Sequence, residues 1–115
     1  MAKQWDQWIN NELPNGWDSD IATFPADPKG MATRVASGMV LNDIAPNLPN
    51  LIGGSADLAP SNKTMIKGEE VYQSDHYSGR NFHFGVREHG MGSILNGMAL
   101  HGGVIPYGGT FIPVI

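Results

Sequence analysis

Apolar residues in this chain follow two patterns, the one-turn spacing of amphipathic helices and the short continuous runs of buried strands. The helical spacing appears first near the amino terminus, where Trp5, Trp8 and Ile9 recur among polar residues. This pattern predicts a short amphipathic helix. We interpret the surrounding residues 1–26 as a linker-like segment that packs on something else.

A second helix is predicted over residues 28–44. Asp27 is a residue type that caps free backbone amides, and Pro28 suits the first helical position. Pro46 sets the end, because proline cannot continue a helix. The apolar positions at about one-turn spacing are Met31, Val35 and Met39.

Short apolar segments predict three strands, over residues 51–54, 81–85 and 104–107. A Gly-punctuated helix is predicted between the last two strands, over residues 87–101. Helices that alternate with short apolar strands indicate parallel crossover connections. The expected fold class is therefore α/β, a partial parallel sheet with flanking helices.

Composition limits the functions that this chain can have. Its 115 residues suit one domain, and a net charge of -4 without a Lys/Arg cluster argues against nucleic acid or an anionic membrane as a partner. Cysteine is absent, which excludes thiolate metal sites and disulfides. The sequence has no signal-peptide run and no long apolar segment, so we expect a cytoplasmic location. Its four histidines lack metal-ligand spacing, and no metal ligand is predicted.

Polar and glycine-rich residues follow each predicted strand. Ser55-Ala56-Asp57 follows the first strand, Arg87-Glu88 the second, and Gly108-Gly109-Thr110-Phe111 the third. Ligands bind beyond the carboxyl ends of the strands in open parallel sheets. The distinctive residues are therefore expected along one edge of the sheet.

Three of these residues have both a structural and a chemical interpretation from the sequence alone. Glu88 is either a residue that favours the positive end of a helix or a buried, protonated carboxyl that hydrogen-bonds a ring nitrogen. Asp57 is either a turn residue whose side chain bonds its own backbone or a ligand-facing carboxylate. Phe111 is either a core residue or a ring that contacts a flat ligand, which the preceding Gly108-Gly109 pair would allow to approach closely.

Four segments, in this order and spacing, resemble transketolase: residues 53–62 (GGSADLAPSN), 85–91 (GVREHGM), 100–103 (LHGG) and 107–111 (YGGTF). The resemblance extends from Leu13 onward. It implies that residues 27–115 are the first half of a pyrimidine-binding domain, in an enzyme that moves a two-carbon ketol group between sugar phosphates with thiamine diphosphate and Mg²⁺. A homodimer, or a complementary diphosphate-binding subunit, is also implied.

The resemblance assigns roles to the cofactor-facing residues. Glu88 matches the catalytic glutamate that hydrogen-bonds N1' of the aminopyrimidine and promotes removal of the C2 proton. Asp57 and Leu58 match residues that line the cofactor, with the leucine supporting its bent shape. Phe111 matches the phenylalanine that stacks on the aminopyrimidine.

The family pattern also implies that Arg34 and Ser61 bind the substrate phosphate. From the residues alone, Arg34 is more simply a solvated charge on a helix. A guanidinium nevertheless suits phosphate well. The assignment of these two residues therefore depends on the resemblance.

The sequence departs from the family in two ways. The Gly-Asp-Gly to Asn motif that holds Mg²⁺ and the cofactor diphosphate does not appear, so we expect the chain alone to be inactive. Pro113 and Val114 stand where the family continues with a helix and a further aromatic residue. The alternatives are dihydroxyacetone synthase or deoxyxylulose phosphate synthase among related enzymes, and a non-catalytic remnant or interaction subunit.

Overall fold

The computed structural model describes residues 1–111, which form a three-stranded parallel sheet with flanking helices. The strands are β1 (Leu51–Ser55), β2 (Asn81–His83) and β3 (Ile105–Gly109), in the order β2-β1-β3. In the central strand, Ser55 pairs with His83 on one side and with Gly109 on the other. All three strands therefore end at the same level, and the predicted parallel α/β fold is confirmed.

Within residues 1–111, four α-helices accompany the sheet. The predicted short amphipathic helix near the amino terminus is confirmed, and the helix predicted over residues 87–101 is confirmed to within a residue. The helices are α1 (Ala2–Ile9), α2 (Thr33–Ile44), α3 (Ala59–Asn62) and α4 (Glu88–His101), with a 3-10 turn at Ala45–Asn47. The short helix α3 was not predicted. Pro60 lies in its first turn, where a missing backbone N–H costs nothing.

The predicted start of the second helix at residue 28 is wrong, because α2 begins at Thr33. The Asp27 carboxylate accepts a hydrogen bond from the Lys29 N–H at 2.9 Å and so caps a tight turn instead of a helix. Gly30 then takes a φ of 68°, a left-handed conformation that interrupts any helix. Met31 precedes α2 and is exposed, so it does not extend the apolar face of that helix.

The core consists of two small clusters. One contains Ala45, Leu48, Leu51 and Ile66, and the other contains Ala56, Phe84 and Met91. The second cluster lies beneath the site region, because Ala56 directly follows β1 and Met91 is on the first turn of α4. Burial of these side chains fixes α4 against the ends of β1 and β2.

Arg80 joins the elements around the first cluster. Its guanidinium donates hydrogen bonds to the carbonyl oxygens of Ala45 at 2.9 Å and Leu48 at 2.8 Å, and its Nε donates to that of Leu51 at 3.1 Å. The same guanidinium pairs with the Glu69 carboxylate at 3.1 Å. One side chain therefore connects the 3-10 turn, the start of β1 and the loop that precedes β2.

Pro113 and Val114, at which the sequence departs from the family pattern, lie outside the described residues. Within residues 1–111, no helix has the length and apolar character needed to cross a membrane.

Candidate functional site

The candidate site is the edge of the sheet where the three strands end. Hydrogen bonding continues one step beyond the paired strands, since the Phe84 N–H donates to the Ser55 carbonyl and the Ala56 N–H donates to the Gly109 carbonyl, both at 3.3 Å. The three loops therefore leave the sheet side by side. This arrangement brings the segments that carry Asp57, Glu88 and Phe111 to one edge, as predicted.

Asp57 has the backbone conformation of a turn residue but not the expected side-chain bonding. Its φ is 66°, in the left-handed region that Asp tolerates better than most residues. The side chain is exposed. Within residues 1–111 its carboxylate makes no hydrogen bond to the backbone or to another side chain, so it is free to face a ligand.

Glu88 is the first residue of α4, where a negative charge is favoured by the helix dipole. It makes no side-chain hydrogen bond within residues 1–111, so the structure does not use it as a hydrogen-bonding cap. The neighbouring Arg87 turns back toward β2 and donates from Nη1 to the Phe84 carbonyl at 2.8 Å. Glu88 is half-buried. The dry environment expected for this carboxyl is therefore not supplied by the described residues alone.

Phe111 is half-buried just beyond β3, and the preceding glycine pair is needed for packing inside the chain. A Cβ on Gly108 would collide with Leu95 of α4, and a Cβ on Gly109 would lie 2.5 Å from the Thr64 methyl group. We expected these glycines to let a flat ligand approach. Their observed role is to let α4 and the segment after α3 approach β3.

A cleft of about 690 Å³ beside β3 contains Arg34 and Phe111. Arg34 is exposed on α2, and Lys63 of the segment after α3 also lines the cleft. Ser61 is exposed on α3 and lies outside the set of residues that line this cleft. The structure thus brings Arg34 and Phe111 into one cleft, while Ser61 lies on α3, a helix that contacts α2.

No carboxylate belongs to the described residues that line this cleft. They are Thr33, Arg34, Ser37, Val40, Leu41, Ile44, Leu51, Asn62, Lys63, Thr64, Tyr107, Gly108, Gly109, Thr110 and Phe111. Two cations without a lining anion make this part of an otherwise acidic chain suited to a negatively charged ligand.

Tyr107 fixes the two segments that line this cleft, β3 and the segment after α3, relative to each other. Its hydroxyl donates a hydrogen bond to the Thr64 carbonyl at 2.8 Å. Burial raises the pKa of Tyr107 to about 12, while the positive charge of Arg80 acts in the opposite direction. The phenol therefore stays neutral and keeps the segment after α3 against β3.

The sequence analysis assigned no role to two buried polar residues within the segment 53–62, Ser55 and Asn62. Ser55 is 3% exposed and Asn62 is 8% exposed. Asn62 donates from Nδ2 to the Ser55 hydroxyl at 2.8 Å. The available signal was a pair of small polar residues on either side of the Asp57-Leu58 turn, but only the fold shows that they meet.

Metal ligands are not grouped in the described part of the chain. Among residues 1–111, no three side chains of His, Asp or Glu are close enough together to hold a metal ion.

These features define a class, a parallel α/β domain whose strand ends carry two carboxylates, an aromatic ring and a basic cleft. A family model described as transketolase, pyrimidine binding domain, matches residues 29–113. The chain belongs to this family.

Curated relatives and solved structures agree with that assignment. The chain is 53% identical over 111 residues to transketolase from Geobacillus stearothermophilus, covering 96% of this chain and 16% of that protein. It is 50% identical over 112 residues to transketolase from Nostoc, covering 96% of this chain and 17% of that protein. The chain therefore spans about a sixth of the length of the relatives it matches.

The matching solved structures cover the same share of this chain and of their own chains as the curated relatives do. Transketolase from Leishmania mexicana superposes with a TM-score of 0.88 at 42% identity, over 96% of this chain and 16% of that one. Transketolase from Pichia stipitis in complex with sedoheptulose 7-phosphate gives a TM-score of 0.86 at 44% identity, over 96% of this chain and 17% of that one.

Proposed function

We propose that residues 27–115 are the first half of a pyrimidine-binding domain and supply part of the site for a transketolase reaction, the transfer of a two-carbon ketol group from a ketose phosphate to an aldose phosphate. Residues 1–26 act as an interdomain linker. The observation that supports this most directly is the common level at which the three strands end. Asp57 and Phe111 follow the ends of β1 and β3, and Glu88 begins the helix α4 that comes after β2.

The residues of this edge fit the pyrimidine end of thiamine diphosphate. A carboxyl without a hydrogen-bond partner in the described chain suits a ring nitrogen, and a half-buried aromatic ring suits a flat heterocycle. When bound, the cofactor would supply a weakly acidic C–H group whose loss of a proton gives a carbon nucleophile for a carbonyl group. We propose that the diphosphate and its Mg²⁺ are held by residues outside the described part of this chain.

Glu88 is the proposed catalytic residue. Its carboxyl holds a proton at N1' of the pyrimidine, and this requires the neutral form of the acid. Glu88 is half-buried in this chain, and a partner surface that covers the start of α4 would remove the remaining water. Desolvation disfavours the charged form of a carboxyl and so favours proton donation.

Asp57, Leu58 and Phe111 are proposed to shape the cofactor wall. The exposed Asp57 carboxylate follows a left-handed backbone turn and has no hydrogen-bond partner within residues 1–111, and the half-buried Leu58 comes next as an apolar support. Phe111 offers a ring face at the neighbouring strand end. Together these side chains orient a flat ligand and exclude water from it.

Arg34 and Ser61 are proposed to bind the phosphate of the sugar substrate. Arg34 supports this role because it lines a cleft that has two cations and no carboxylate among its described residues. Ser61 is exposed and available for hydrogen bonding, so it would contact the phosphate from α3. Guanidinium and hydroxyl donors together match the oxygens of a phosphate.

A second protein surface is proposed to complete the site, either another copy of the parent enzyme or a diphosphate-binding subunit, in the cytoplasm. The outer face of α4 supports this idea. Leu100 is 88% exposed and Ile94 is 49% exposed on this helix, and a Cβ on Gly97, which lies between them on the same side, would meet no atom of the described residues within 4 Å. Such a face permits close approach of another helix.

The first test is complementation. The chain alone, and then mixed with the diphosphate-binding half of a transketolase, is titrated with thiamine diphosphate and Mg²⁺ by calorimetry and assayed for ketol transfer. We expect binding and transfer only in the mixture. A folded chain that gives neither signal in the mixture would contradict the proposal.

The second test concerns Glu88 in the active mixture. Glu88→Gln keeps the size of the side chain but cannot supply the proton of a carboxylic acid, so hydrogen–deuterium exchange at the cofactor C2 should fall at least about a hundredfold. The control is Glu12→Gln, at an exposed glutamate outside the site, which should leave exchange unchanged. Exchange at the normal rate in Glu88→Gln would remove Glu88 from this role.

A non-catalytic interaction subunit with the same partial fold is the second candidate. The exposed apolar residues of α4 favour it independently of any chemistry. Complex formation with a diphosphate-binding half that yields no ketol transfer would select this candidate over the enzyme.

A further inference from the structure

We infer that Ser55 and Asn62 are positioning residues that fix the Asp57-Leu58 turn and the Phe111 segment relative to each other. The inference depends on the proposed function, because it concerns the two walls of the same cofactor site. Neither side chain needs to touch the cofactor in this role.

The Ser55 hydroxyl connects three segments at once. It accepts a hydrogen bond from the Leu58 backbone N–H at 3.1 Å and donates one to the Gly109 carbonyl at 3.0 Å. It also accepts from Asn62 Nδ2 at 2.8 Å. A hydroxyl has one donor and two acceptor positions, so all three are in use. The turn after β1, the end of β3 and helix α3 therefore share one atom.

Asn62 extends this network to the next segment. Its Oδ1 accepts a hydrogen bond from the Thr64 hydroxyl at 2.9 Å. A Cβ on Gly109 would lie 3.4 Å from Asn62 Nδ2 and 2.5 Å from the Thr64 methyl group. The backbone just before Phe111 thus passes directly over these side chains, and only glycine allows that approach.

The network has a counterpart at the opposite end of the sheet, which provides a matched control. Asn50 precedes β1, is 8% exposed like Asn62, and donates from Nδ2 to the Gly103 carbonyl at 3.3 Å. Asn50 connects the starts of β1 and β3, whereas Asn62 and Ser55 connect their ends. Asn50→Ala and Asn62→Ala both remove a buried hydrogen bond, so an effect of that loss alone would appear in both variants. Of these two residues, Asn62 is the one that bonds Ser55 and so reaches the site loops.

The first measurement is amide hydrogen exchange and ¹H–¹⁵N chemical shifts of the full chain. Asn62→Ala removes one of the three hydrogen bonds that hold the Ser55 hydroxyl, so exchange at the Leu58 amide should rise about tenfold relative to the Tyr72 amide, which donates to the Asn81 carbonyl. The amide shifts of Leu58 and Phe111 should both move. Asn50→Ala should leave the relative exchange rate and both shifts unchanged. If Asn62→Ala does not fold, Asn62→Leu serves, because leucine has nearly the shape of asparagine and no hydrogen-bond donor.

The second measurement is the affinity for thiamine diphosphate with Mg²⁺ in the mixture with a diphosphate-binding half. Asn62→Ala should weaken this affinity about tenfold, while Asn50→Ala should leave it unchanged, and Ser55→Ala should match Asn62→Ala.

The outcomes separate the two proposals. No binding by the unmodified mixture contradicts the proposed function, and the exchange measurement still decides whether Ser55 and Asn62 couple the two segments. Leu58 and Phe111 signals that respond alike to Asn62→Ala and Asn50→Ala overturn the inference. Binding that is equal in the unmodified chain and in Asn62→Ala also overturns it.

Discussion

The two ends of strand β2 use their polar side chains in opposite ways. At its start, Asn81 is 1% exposed and bonds Ile66 through both its donor and its acceptor, and Arg80 satisfies three carbonyl oxygens. Beyond its end, Glu88 makes no side-chain hydrogen bond within residues 1–111, and neither does Asp57 on the adjacent loop. The polar side chains at the start of β2 stabilise the fold through hydrogen bonds, whereas those beyond its end remain available to bind a ligand.

This contrast explains why burial alone does not identify the site. Arg80 and Asn81 are charged or polar and well buried, which is often a sign of function. Both amide hydrogens of Asn81 are nevertheless used inside the chain, since Nδ2 donates to the Ile66 carbonyl at 2.9 Å and to the Glu69 carbonyl at 3.0 Å. Its Oδ1 accepts from the Ile66 N–H. The candidate site residues differ because their hydrogen-bonding capacity remains unused.

The largest expected effect in this comparison is on stability, at Arg80. Arg80→Ala removes the donors to the carbonyls of Ala45, Leu48 and Leu51, and should lower the free energy of unfolding by about 3 kcal/mol. The measurement is urea unfolding followed by circular dichroism. The control Arg34→Ala, at an exposed arginine of α2, should change stability by at most about 0.5 kcal/mol. Equal losses in the two variants would contradict the assigned role of Arg80.

A smaller effect on the free energy of unfolding, which depends on pH, is expected at Tyr107. Because its pKa is raised from 10.0 to about 12 in the folded chain, the folded state keeps this proton where the unfolded chain loses it. The resulting stability is complete below pH 10 and is lost as the pH rises toward 12. Tyr107→Phe should cost about 1 kcal/mol at neutral pH and make this alkaline decline shallower.

Tyr77→Phe is the control for that experiment, because Tyr77 is 67% exposed. Unfolding curves measured from neutral pH to pH 12 should coincide for Tyr77→Phe and the unmodified chain. An unchanged alkaline decline in Tyr107→Phe would show that other groups cause it.

The smallest effect on stability is expected at the site itself. Glu88→Gln and Asp57→Asn remove charges that have no partner within residues 1–111, so each should change the free energy of unfolding by at most about 0.5 kcal/mol. Thermal and urea unfolding of the two variants would measure this. A loss above about 2 kcal/mol at either position would show that the residue stabilises the fold as Arg80 does, and would contradict the difference between the two ends of β2.

Local sequence signals predicted most of the elements. Trp5, Trp8 and Ile9 marked α1, and the short apolar runs marked the three strands, because spacing and burial pattern are local properties. The start of α2 was missed because Asp27 and Pro28 also suit a turn. The hydrogen bond from Lys29 to Asp27, followed by the left-handed Gly30, decided between these two structures.

The site was only partly predictable, because local sequence signals do not show which distant segments pack together. Residues in loops after parallel strands could be assigned to one edge, since parallel strands place their carboxyl ends together. The grouping of Arg34 with Phe111 in one cleft depended on how α2 packs beside β3. The reason for the glycine pair also changed, because Leu95 and Thr64 occupy the space opposite Gly108 and Gly109.

The sequence by itself determined the fold class, the strand order along the chain and the residues that can do chemistry at the strand ends. These depend on local periodicity, on turn-forming residues and on the functional groups of individual side chains. The tertiary structure alone decided which polar residues use their hydrogen bonds inside the chain and which keep them free. That distinction depends on contacts between distant segments, such as the hydroxyl of Ser55 meeting Asn62 and Gly109, and the Arg80 guanidinium reaching the carbonyls of Ala45 and Leu48.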